Sequence, residues 1–344
     1  RCPTSVLNVI NHIRAEDDGL RQVRGRMVMR DGVLEPVAGT ARLFIFPADE
    51  HRTQRLAEVR RWLAEENGDP LWLRDDQESN VRTLVLVHRM AARRLDFANL
   101  YAALNDHGDH GLKDGLRDGT AWVLRPFLTY LLPLIVAQRE ARSFDVIASL
   151  RKNCPVLSKD RLAGADVAAV LDGLKNDLER LIEMFADGSG STIHDVLDFV
   201  KGRDLADLDE RFEPYLIEGR DRDENAPDAG SVESFLACRT TELWGYRRYI
   251  ENESPFATQQ GIKGAEFDRV LVVLDDEEGD YNLFSYGKYF GITPLSDKDQ
   301  ENILGGVDSV IGRTRRLFYV CCSRAMRDLA VVLFVPNVAA PRAT

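Results

Sequence analysis

The sequence predicts an α/β fold in which a parallel sheet flanked by helices is interrupted by a long helical stretch. In about the first 110 residues and the last 90, short apolar runs alternate with amphipathic helical patterns, as in parallel sheets covered by helices. Between Gly111 and Asn252 no strand pattern appears, and apolar residues recur at helical spacing. We therefore expect one sheet built from both ends of the chain, with an all-helical insertion between its two parts.

The N-terminal part predicts a helix, a hairpin, and then alternating strands and helices. The segment TSVLNVINHIRAE is typical of a helix with Thr4 or Ser5 as its N-cap. In RMVMRDGVLEPV the pair Asp31-Gly32 indicates a hairpin turn. Two apolar runs, ARLFIFPA and VRTLVLVHR, predict buried strands, and DEHRTQRLAEVRRWLAEEN and MAARRLDFANLYAAL predict the helices that follow them.

The middle of the chain predicts helices and one polar loop. The helical segments are AWVLRPFLTYLLPLIVAQREA, ADVAAVLDGLKNDLERLIEMFAD, TIHDVLDFVKG and SVESFLACRTTELWGYRRYIEN, and the loop is EGRDRDENAPDAGS. The α/β pattern then returns with the strand RVLVVLDD, an arginine-rich helix, and the strand LAVVLFV before Pro336.

The composition limits the classes of protein to consider. With 344 residues and 44% apolar residues, we expect two or three soluble domains. No apolar run is long enough to span a bilayer and no signal peptide is visible, so we expect a cytoplasmic protein with no membrane partner. The five cysteines form no C-x-x-C pair and the six histidines no zinc pattern, which indicates reduced thiols and no metal site.

The negative charge is unevenly distributed. The net charge is −11, and residues 171 to 230 alone sum to −10. We interpret that stretch as a solvated acidic face that repels a polyanion. Since the remainder is nearly neutral, the overall charge does not exclude a DNA partner.

An unusual group of arginines precedes the last strand. Read as one helix, GRTRRLFYVCCSRAMR carries five of them, and Arg324 borders the apolar stripe of Leu317, Cys321 and Ala325. An arginine in this position either covers apolar surface with its aliphatic stem or presents its guanidinium to a ligand.

Two further motifs allow more than one interpretation. In TQQGIKGAEF, Gly261 and Gly264 flank Lys263, which is typical of a loop that approaches an anionic ligand or of a plain surface turn. The run RVLVVLDDEEGD resembles an apolar strand that ends in acids able to bind Mg²⁺. These acids would be Asp275, Asp276, Glu277 and Glu278. The chain contains no G-x-x-x-x-G-K-[ST] phosphate loop, which disfavours the metal interpretation.

Four segments, in order, resemble motifs of the UvrD/Rep-type superfamily 1 DNA helicases. TQQGIKGAEF is similar to the pattern T-x-H-x-x-K-G-x-E-F, and RTRRLFYVCCSRA to E-x-R-R-L-x-Y-V-x-x-T-R-A. The opening RCPTSVLNVIN is similar to a motif that starts Y-R-S and continues into I-L and N, and LVLVHRMAARRLDFANL to the strand and helix that follow it. The resemblance implies that this chain is the C-terminal half of such a protein.

The resemblance implies a domain plan. Residues 1–108 and 253–344 would form the second RecA-like domain, and residues 109–252 the helical subdomain inserted into it. The first RecA-like domain, which carries the phosphate loop and binds most of the ATP and Mg²⁺, would lie upstream of Arg1. The activity would be ATP-dependent helicase or translocase action in the 3′ to 5′ direction, as in DNA repair.

The resemblance also implies roles for individual residues. Arg324 and Arg1 would be the arginines that contact the γ-phosphate, Glu266 would accept a hydrogen bond from the ribose, and Lys263 and Gly264 would shape the loop beneath it. The DNA contacts implied by the motifs are Thr258, Gln260 and Arg89. Gln260 replaces the usual His, and Ala91 the usual Asn, whose hydrogen bonds an alanine cannot make. Arg316 and Tyr319 would orient the helix and fill the core.

The implied partners are single-stranded or partially duplex DNA, the first RecA-like domain of the same protein, and a nuclease or other repair protein. Two alternatives belong to other functional classes. One is a helicase-like interaction or regulatory module without motor activity, working beside a nuclease. The other is a Mg²⁺-dependent phosphodiesterase built on the four acids from Asp275 to Glu278.

Overall fold

A sheet of five parallel strands forms the centre of one of the two units into which the chain divides. The computed structural model describes residues 1–15, 19–76, 78–85, 88–217, 228–251, 264–279 and 284–339, together with the backbone of 256–258. The sheet unit comprises Arg1–Arg94 and Asn252–Thr344, and the helical unit comprises Leu95–Glu251.

The regular elements follow one another in three groups. The first is α1 Thr4–Ala15, β1 Met27–Arg30, β2 Val33–Pro36, β3 Thr40–Pro47, α2 Arg52–Glu66, β4 Val81–Val85 and α3 His88–Arg94. The second is α4 Ala98–Asp106, α5 His110–Asp118, α6 Leu132–Arg139, α7 Ser143–Asn153, α8 Lys159–Leu162, α9 Val167–Met184, α10 Ile193–Gly202, α11 Glu213–Leu216, α12 Ala229–Leu236 and α13 Glu242–Ile250. The third is β5 Phe256–Thr258, β6 Phe267–Leu274, α14 Asp276–Gly279, α15 Tyr286–Tyr289, α16 Asp297–Leu304, α17 Val310–Cys322 and β7 Ala325–Val335.

Short 3-10 turns and one π-helical turn complete the chain path. The 3-10 turns are Pro70–Leu73, Trp122–Leu124, Pro155–Leu157 and Glu210–Phe212, and the π-helical turn is Phe127–Leu131, directly before α6.

The strand order in the sheet is β3-β7-β6-β4-β5. The predicted α/β class with a parallel sheet is therefore confirmed. The two strands from the end of the chain, β6 and β7, lie in the middle of the sheet, and their apolar runs are buried on both faces. Register is continuous from Thr40 beside Asp328 to Pro47 beside Val335.

The predicted hairpin is confirmed. β1 pairs with β2 antiparallel, and the turn residues Asp31 and Gly32 both have positive φ, 49° and 81°. Two successive positive φ values match the right-handed twist of a two-residue hairpin, which Asp-Gly adopts readily. All eight strand residues are exposed, so the hairpin projects from the sheet.

Three details of the sheet unit differ from the sequence prediction. β3 is an edge strand of intermediate burial, with Leu43 56% exposed, where a fully buried strand was expected. The helix predicted over MAARRLDFANLYAAL is two helices, because Asp96 has φ 59° and ends α3. The arginine-rich helix ends at Cys322, so Arg324 lies in a turn and Arg327 in β7.

A further difference concerns the N-cap predicted for α1. The helix is confirmed, but it begins at Thr4, and the hydroxyl of Ser5, one of the two expected N-caps, donates to the carbonyl of Gly39, 3.1 Å away. The side chain therefore ties the helix to the segment between the hairpin and β3.

The described residues of the helical unit contain helices and one isolated bridge between Thr192 and Arg239. The unit begins at Leu95, ahead of the boundary that the sequence placed at residue 109. Glu242, which is 5% exposed, accepts hydrogen bonds from the Leu100 backbone and the Asn99 side chain, joining α13 to α4. The segment SVESFLACRTTELWGYRRYIEN forms two helices, α12 and α13, where one run was predicted.

A buried ion pair joins two segments of the sheet unit that are far apart in sequence. Arg269 in β6 donates from Nε and Nη2 to the two carboxylate oxygens of Asp69, at 2.6 and 2.9 Å, and from Nη1 to the Ser79 carbonyl at 2.6 Å. The Arg269 and Asp69 side chains are 4% and 6% exposed. Such a pair is tolerated in a core because each donor and acceptor is satisfied.

Changing Asp69→Asn should therefore lower the free energy of unfolding by about 3–5 kcal/mol, because the guanidinium of Arg269 stays charged and buried without its anion. Chemical denaturation measures the effect. The matched control is Glu66→Gln, whose carboxylate is 53% exposed and 3.7 Å from Arg42, and for which a change of at most about 1 kcal/mol is expected. Equal effects of the two substitutions would contradict the importance of the buried pair.

A second prediction concerns the start of α16. Ser296 and Asp299 form a capping box, and Lys288 Nζ lies 2.6 Å from Asp299, so these donors lower the pKa of the Asp299 carboxyl to about 2. A lowered pKa contributes stability above the ordinary value, and this contribution is lost as the pH falls through the folded-state pKa. The difference in unfolding free energy between the wild type and Asp299→Asn should thus be constant near neutrality and shrink between about pH 4 and pH 2. A difference that does not change with pH would contradict the assignment.

Candidate functional site

Three of the predicted site residues meet at the amino ends of the central strands. The backbone nitrogen of Arg1 lies 3.0 Å from Oε1 of Glu266. Arg324 Nη1 donates to the carbonyl of Ala265, next to Glu266, at 3.4 Å. We call Arg1, Cys2, Ala265, Glu266 and Arg324 the amino-edge cluster.

The pairing of β6 with β7 explains why Glu266 and Arg324 are neighbours. Each residue directly precedes its strand, and the Phe267 backbone N–H donates to the Arg324 carbonyl at 2.9 Å. This bond is the first link between the two strands, so the residues that enter them lie side by side. The side chain of Arg324 is held by α17, since its Nε donates to the carbonyl of Val320 at 3.2 Å.

The beginning of the chain joins the cluster through Cys2. This residue is 4% exposed, and its Sγ donates to the carbonyl of Ser323 at 3.3 Å. Burial raises the pKa of the Cys2 thiol; the positive charges of the Arg1 amine and of Arg324 oppose this rise, and the negative charge of Glu266 adds to it. Cys2 thus anchors the start of α1 against the α17–β7 turn, while the Arg1 side chain remains 67% exposed.

The guanidinium of Arg324 is held in place by backbone carbonyls and not by a carboxylate of the described residues. It is partly buried, and both of its hydrogen bonds go to backbone carbonyls, those of Val320 and Ala265. Within the described ranges no carboxylate lies at ion-pair distance from it. An arginine held in this way retains its charge and some donors for an external anion.

Other predicted residues are placed only in part. Gly264 has φ 80°, which favours glycine, and no atom crowds the position of a Cβ. Thr258 ends β5, where only the backbone is described, and it pairs with Val85. Lys263 and Gln260 lie outside the described residues.

Two arginines of α17 and its tyrosine make structural contacts. Arg313 and Arg316 both pair with Asp308, which precedes the helix. These pairs lower the pKa of the Asp308 carboxyl. Tyr319 lies under the guanidinium of Arg14, 5.3 Å from the ring centroid, and so joins α17 to α1.

Arg89 follows the carboxyl end of β4, whereas the cluster lies at the amino ends of the strands. It is the second residue of α3 and is partly buried. Ala91, at the position where the family has Asn, is fully buried in the same helix. The structure therefore does not bring Arg89 to the amino-edge cluster.

The acidic run after β6 is engaged by arginines that the sequence analysis did not single out. Arg52 Nε donates to Asp275 at 2.6 Å, and Arg94 pairs with Glu278 at 2.5 Å. Burial raises the pKa of the Glu278 carboxyl, and the attraction of Arg94 only partly offsets it. Arg52, Arg94 and Glu278 line, together with Asp49, a cavity of about 400 Å³ at the carboxyl ends of β3 and β6.

The carboxylates of the same run accept hydrogen bonds from donors of the protein. Asp276 accepts hydrogen bonds from the Ser285 hydroxyl and from the Tyr286 and Gly287 backbones, all at 2.8 Å. No group of three or more His, Cys, Asp or Glu residues suited to a metal is present in the part of the chain that the structure describes. Each of the four carboxylates on which the phosphodiesterase alternative is built accepts at least one hydrogen bond from a protein side chain.

The chain matches no protein-family model, and no curated protein is significantly similar to it.

All five cysteines are buried free thiols. Taken singly, none of the described helices has the length and apolar character needed to cross a membrane, although the bent pair His110–Asp118 and Trp122–Arg139 passes that test together.

Proposed function

We propose that this chain is the C-terminal half of an ATP-driven DNA helicase or translocase of the UvrD/Rep type. The sheet unit would act as the second RecA-like domain, and the helical unit as the subdomain inserted into it. ATP with Mg²⁺ would be held mainly by a first RecA-like domain with a phosphate loop, since this chain contains no such motif.

The observation that carries the proposal is that Glu266 and Arg324 lie next to each other at the main chain of Arg1, whose side chain is exposed. The three residues come from three segments that are distant in sequence, and each matches a position of a different helicase motif. Two cationic side chains and one carboxylate are a suitable set for the phosphates and a ribose hydroxyl of one nucleotide. Arg324 supports the assignment further, because it is fixed by α17 and has no carboxylate partner among the described residues.

The chemistry of the cluster follows from the properties of guanidinium. As the γ-phosphate is transferred to water, charge accumulates on its oxygens, and a positioned arginine stabilises that charge. An arginine contributed by the second domain completes the site only when the two domains close around ATP. Hydrolysis would then be coupled to closure and, through the strand-to-loop positions near Thr258 and Arg89, to stepping along single-stranded DNA.

The alternative of a regulatory module without motor activity shares the fold but has no need of the amino-edge cluster. The two proposals assign different roles to Arg324, so a substitution of this residue distinguishes them.

In the protein that joins this chain to its phosphate-loop domain, Arg324→Ala should lower kcat for DNA-stimulated ATP hydrolysis on the order of 10³-fold, with ATP affinity largely retained. The loss corresponds to about 4 kcal/mol of transition-state stabilisation. Steady-state kinetics and equilibrium binding of a fluorescent ATP analogue separate the two effects. Arg324→Lys should recover little of the activity, because an ammonium lacks the planar fork of donors.

The matched control is Arg61→Ala, which removes an exposed arginine of α2. Its kcat should equal that of the wild type. Denaturation of the Arg324→Ala protein should show a loss of about 1–2 kcal/mol at most, since the side chain makes two hydrogen bonds to carbonyls. A two- or threefold fall in kcat would contradict the role of Arg324 at the γ-phosphate, and a wild-type protein without ATP hydrolysis would favour the regulatory module.

The 344-residue chain by itself should hydrolyse no ATP above background, with or without single-stranded DNA. The physical reason is that the phosphate cradle and the acids that hold Mg²⁺ are missing from its sequence. A phosphate-release assay at high protein concentration measures this. Turnover that is abolished by Arg324→Ala in the isolated chain would refute the division of the ATP site between two domains.

A further inference from the structure

A solvent-open pocket of about 550 Å³ lies at the β3 edge of the sheet, where α1, α15 and α17 cover the strands β3 and β7. We call this space, which Val9, Leu43 and Phe290 help to line, the edge pocket. Its volume is in the range of sites for small organic ligands, and most of its lining residues are apolar or aromatic, as in such sites. No residue of the amino-edge cluster lines it.

The sheet forms the floor of the edge pocket. Ala41 and Leu43 of β3 pair in register with Leu329 and Val331 of β7. Because alternate residues of a strand point to the same face, these four side chains lie on one face of the sheet. Leu43 is 56% exposed, since β3 is an edge strand. The floor therefore presents apolar surface that a ligand can contact.

Three aromatic rings form one wall of the edge pocket. The ring centroids of Tyr289 and Phe290 are 4.9 Å apart, and they lie 6.1 and 5.7 Å from that of Phe318, all in edge-to-face arrangement. Tyr289 and Phe290 are half-buried, so their rings can be contacted from the pocket. A further ring placed against them gains edge-to-face or stacked contacts in addition to buried area. This wall therefore favours an aromatic ligand.

One side of α1 forms a second wall. Val9 and Ile13 are four residues apart and provide apolar surface. Asn8 and His12, also four residues apart, line the pocket and are exposed. Each polar residue directly precedes an apolar one, so the two polar side chains lie beside the apolar pair on the solvent side of the helix. They place accessible hydrogen-bonding groups at the mouth of the pocket.

The charges around the edge pocket indicate an uncharged ligand. Of the described residues that line it, Arg42 alone carries a permanent charge. Its guanidinium lies over the Trp62 ring, 5.1 Å from the centroid, and 3.7 Å from a carboxylate oxygen of Glu66. Because Arg42 precedes Leu43 in β3, its side chain is on the opposite face of the sheet. A charged ligand would thus lose hydration at the pocket without gaining a counter-ion.

We infer that the edge pocket binds a small, uncharged aromatic molecule that carries one hydroxyl or N–H group. Its ring would contact Leu43 and the rings of Tyr289 and Phe290, and its polar group would form a hydrogen bond with Asn8 or His12. This inference does not depend on the proposed motor function, because it involves none of the residues assigned to ATP hydrolysis.

Isothermal titration calorimetry on the 344-residue chain tests the inference with 2-naphthol as the probe. It should bind saturably with a Kd below about 1 mM. Two related compounds should each bind about threefold or more weakly. 1-Octanol keeps the hydroxyl but has no ring for the aromatic wall, and 2-naphthoate keeps the ring but carries a charge that the pocket does not compensate.

Variants at an exposed floor residue locate the site. Leu43→Trp should fill the pocket with its own indole ring and weaken 2-naphthol binding at least tenfold. Leu43→Gln keeps the side-chain length but removes the apolar surface, so it should also weaken binding, without a larger side chain that could disturb β3. The matched control is Leu73→Trp, because Leu73 is 54% exposed and does not line the pocket. This variant should bind 2-naphthol as the wild type does.

Variants at the mouth of the pocket test the polar contact. The double variant Asn8→Ala/His12→Ala should bind 2-naphthol about threefold or more weakly, the effect of one lost hydrogen bond. Both side chains are exposed, so its unfolding midpoint in denaturant should stay close to that of the wild type. Arg324→Ala should bind 2-naphthol as the wild type does.

The inference is overturned by any of three results. The first is that 2-naphthol does not bind saturably. The second is that 1-octanol or 2-naphthoate binds as tightly as 2-naphthol, which would mean that the ligand class is wrong. The third is that Leu43→Trp and Leu43→Gln both bind 2-naphthol as the wild type does, which would place the bound molecule elsewhere.

Discussion

The pairing of β6 with β7 is the constraint on which the candidate site depends. Both strands are buried in the middle of the sheet, and the bond from the Phe267 N–H to the Arg324 carbonyl fixes where their pairing begins. A shift in this register would separate Glu266 from Arg324, because each is the residue before its strand. The apolar runs of β6 and β7 therefore determine the position of the charged residues as well as the core.

Much of the sheet unit could be predicted from the sequence, because its signals are local. The turn at Asp31-Gly32, the apolar runs of β6 and β7 and the helical spacing in α1 each lie within one short segment. The edge position of β3 could not be predicted, since it depends on the strand order and not on the composition of the strand. The break at Asp96 was missed because a single non-glycine residue with positive φ interrupts an otherwise helical pattern.

The candidate site, too, could be predicted only in part from the sequence. Motif positions predicted Arg1, Glu266 and Arg324, and the structure places them together. The partners of the acidic run, Arg52 and Arg94, could not be predicted, because they come from helices far from it in sequence. Long-range ion pairs of this kind cannot be predicted from a single sequence.

The strand order also has a consequence for synthesis on the ribosome. β3 and β4 are made before the helical unit, yet their inner neighbours in the sheet, β7 and β6, are made after it. The sheet therefore cannot close until β7 has been synthesised, whereas the described helices α4 to α13 follow one another in sequence and can fold as soon as they emerge. In the nascent chain, the apolar residues of β3 and β4 therefore remain unpaired until then. During this interval the sheet unit depends most on chaperones.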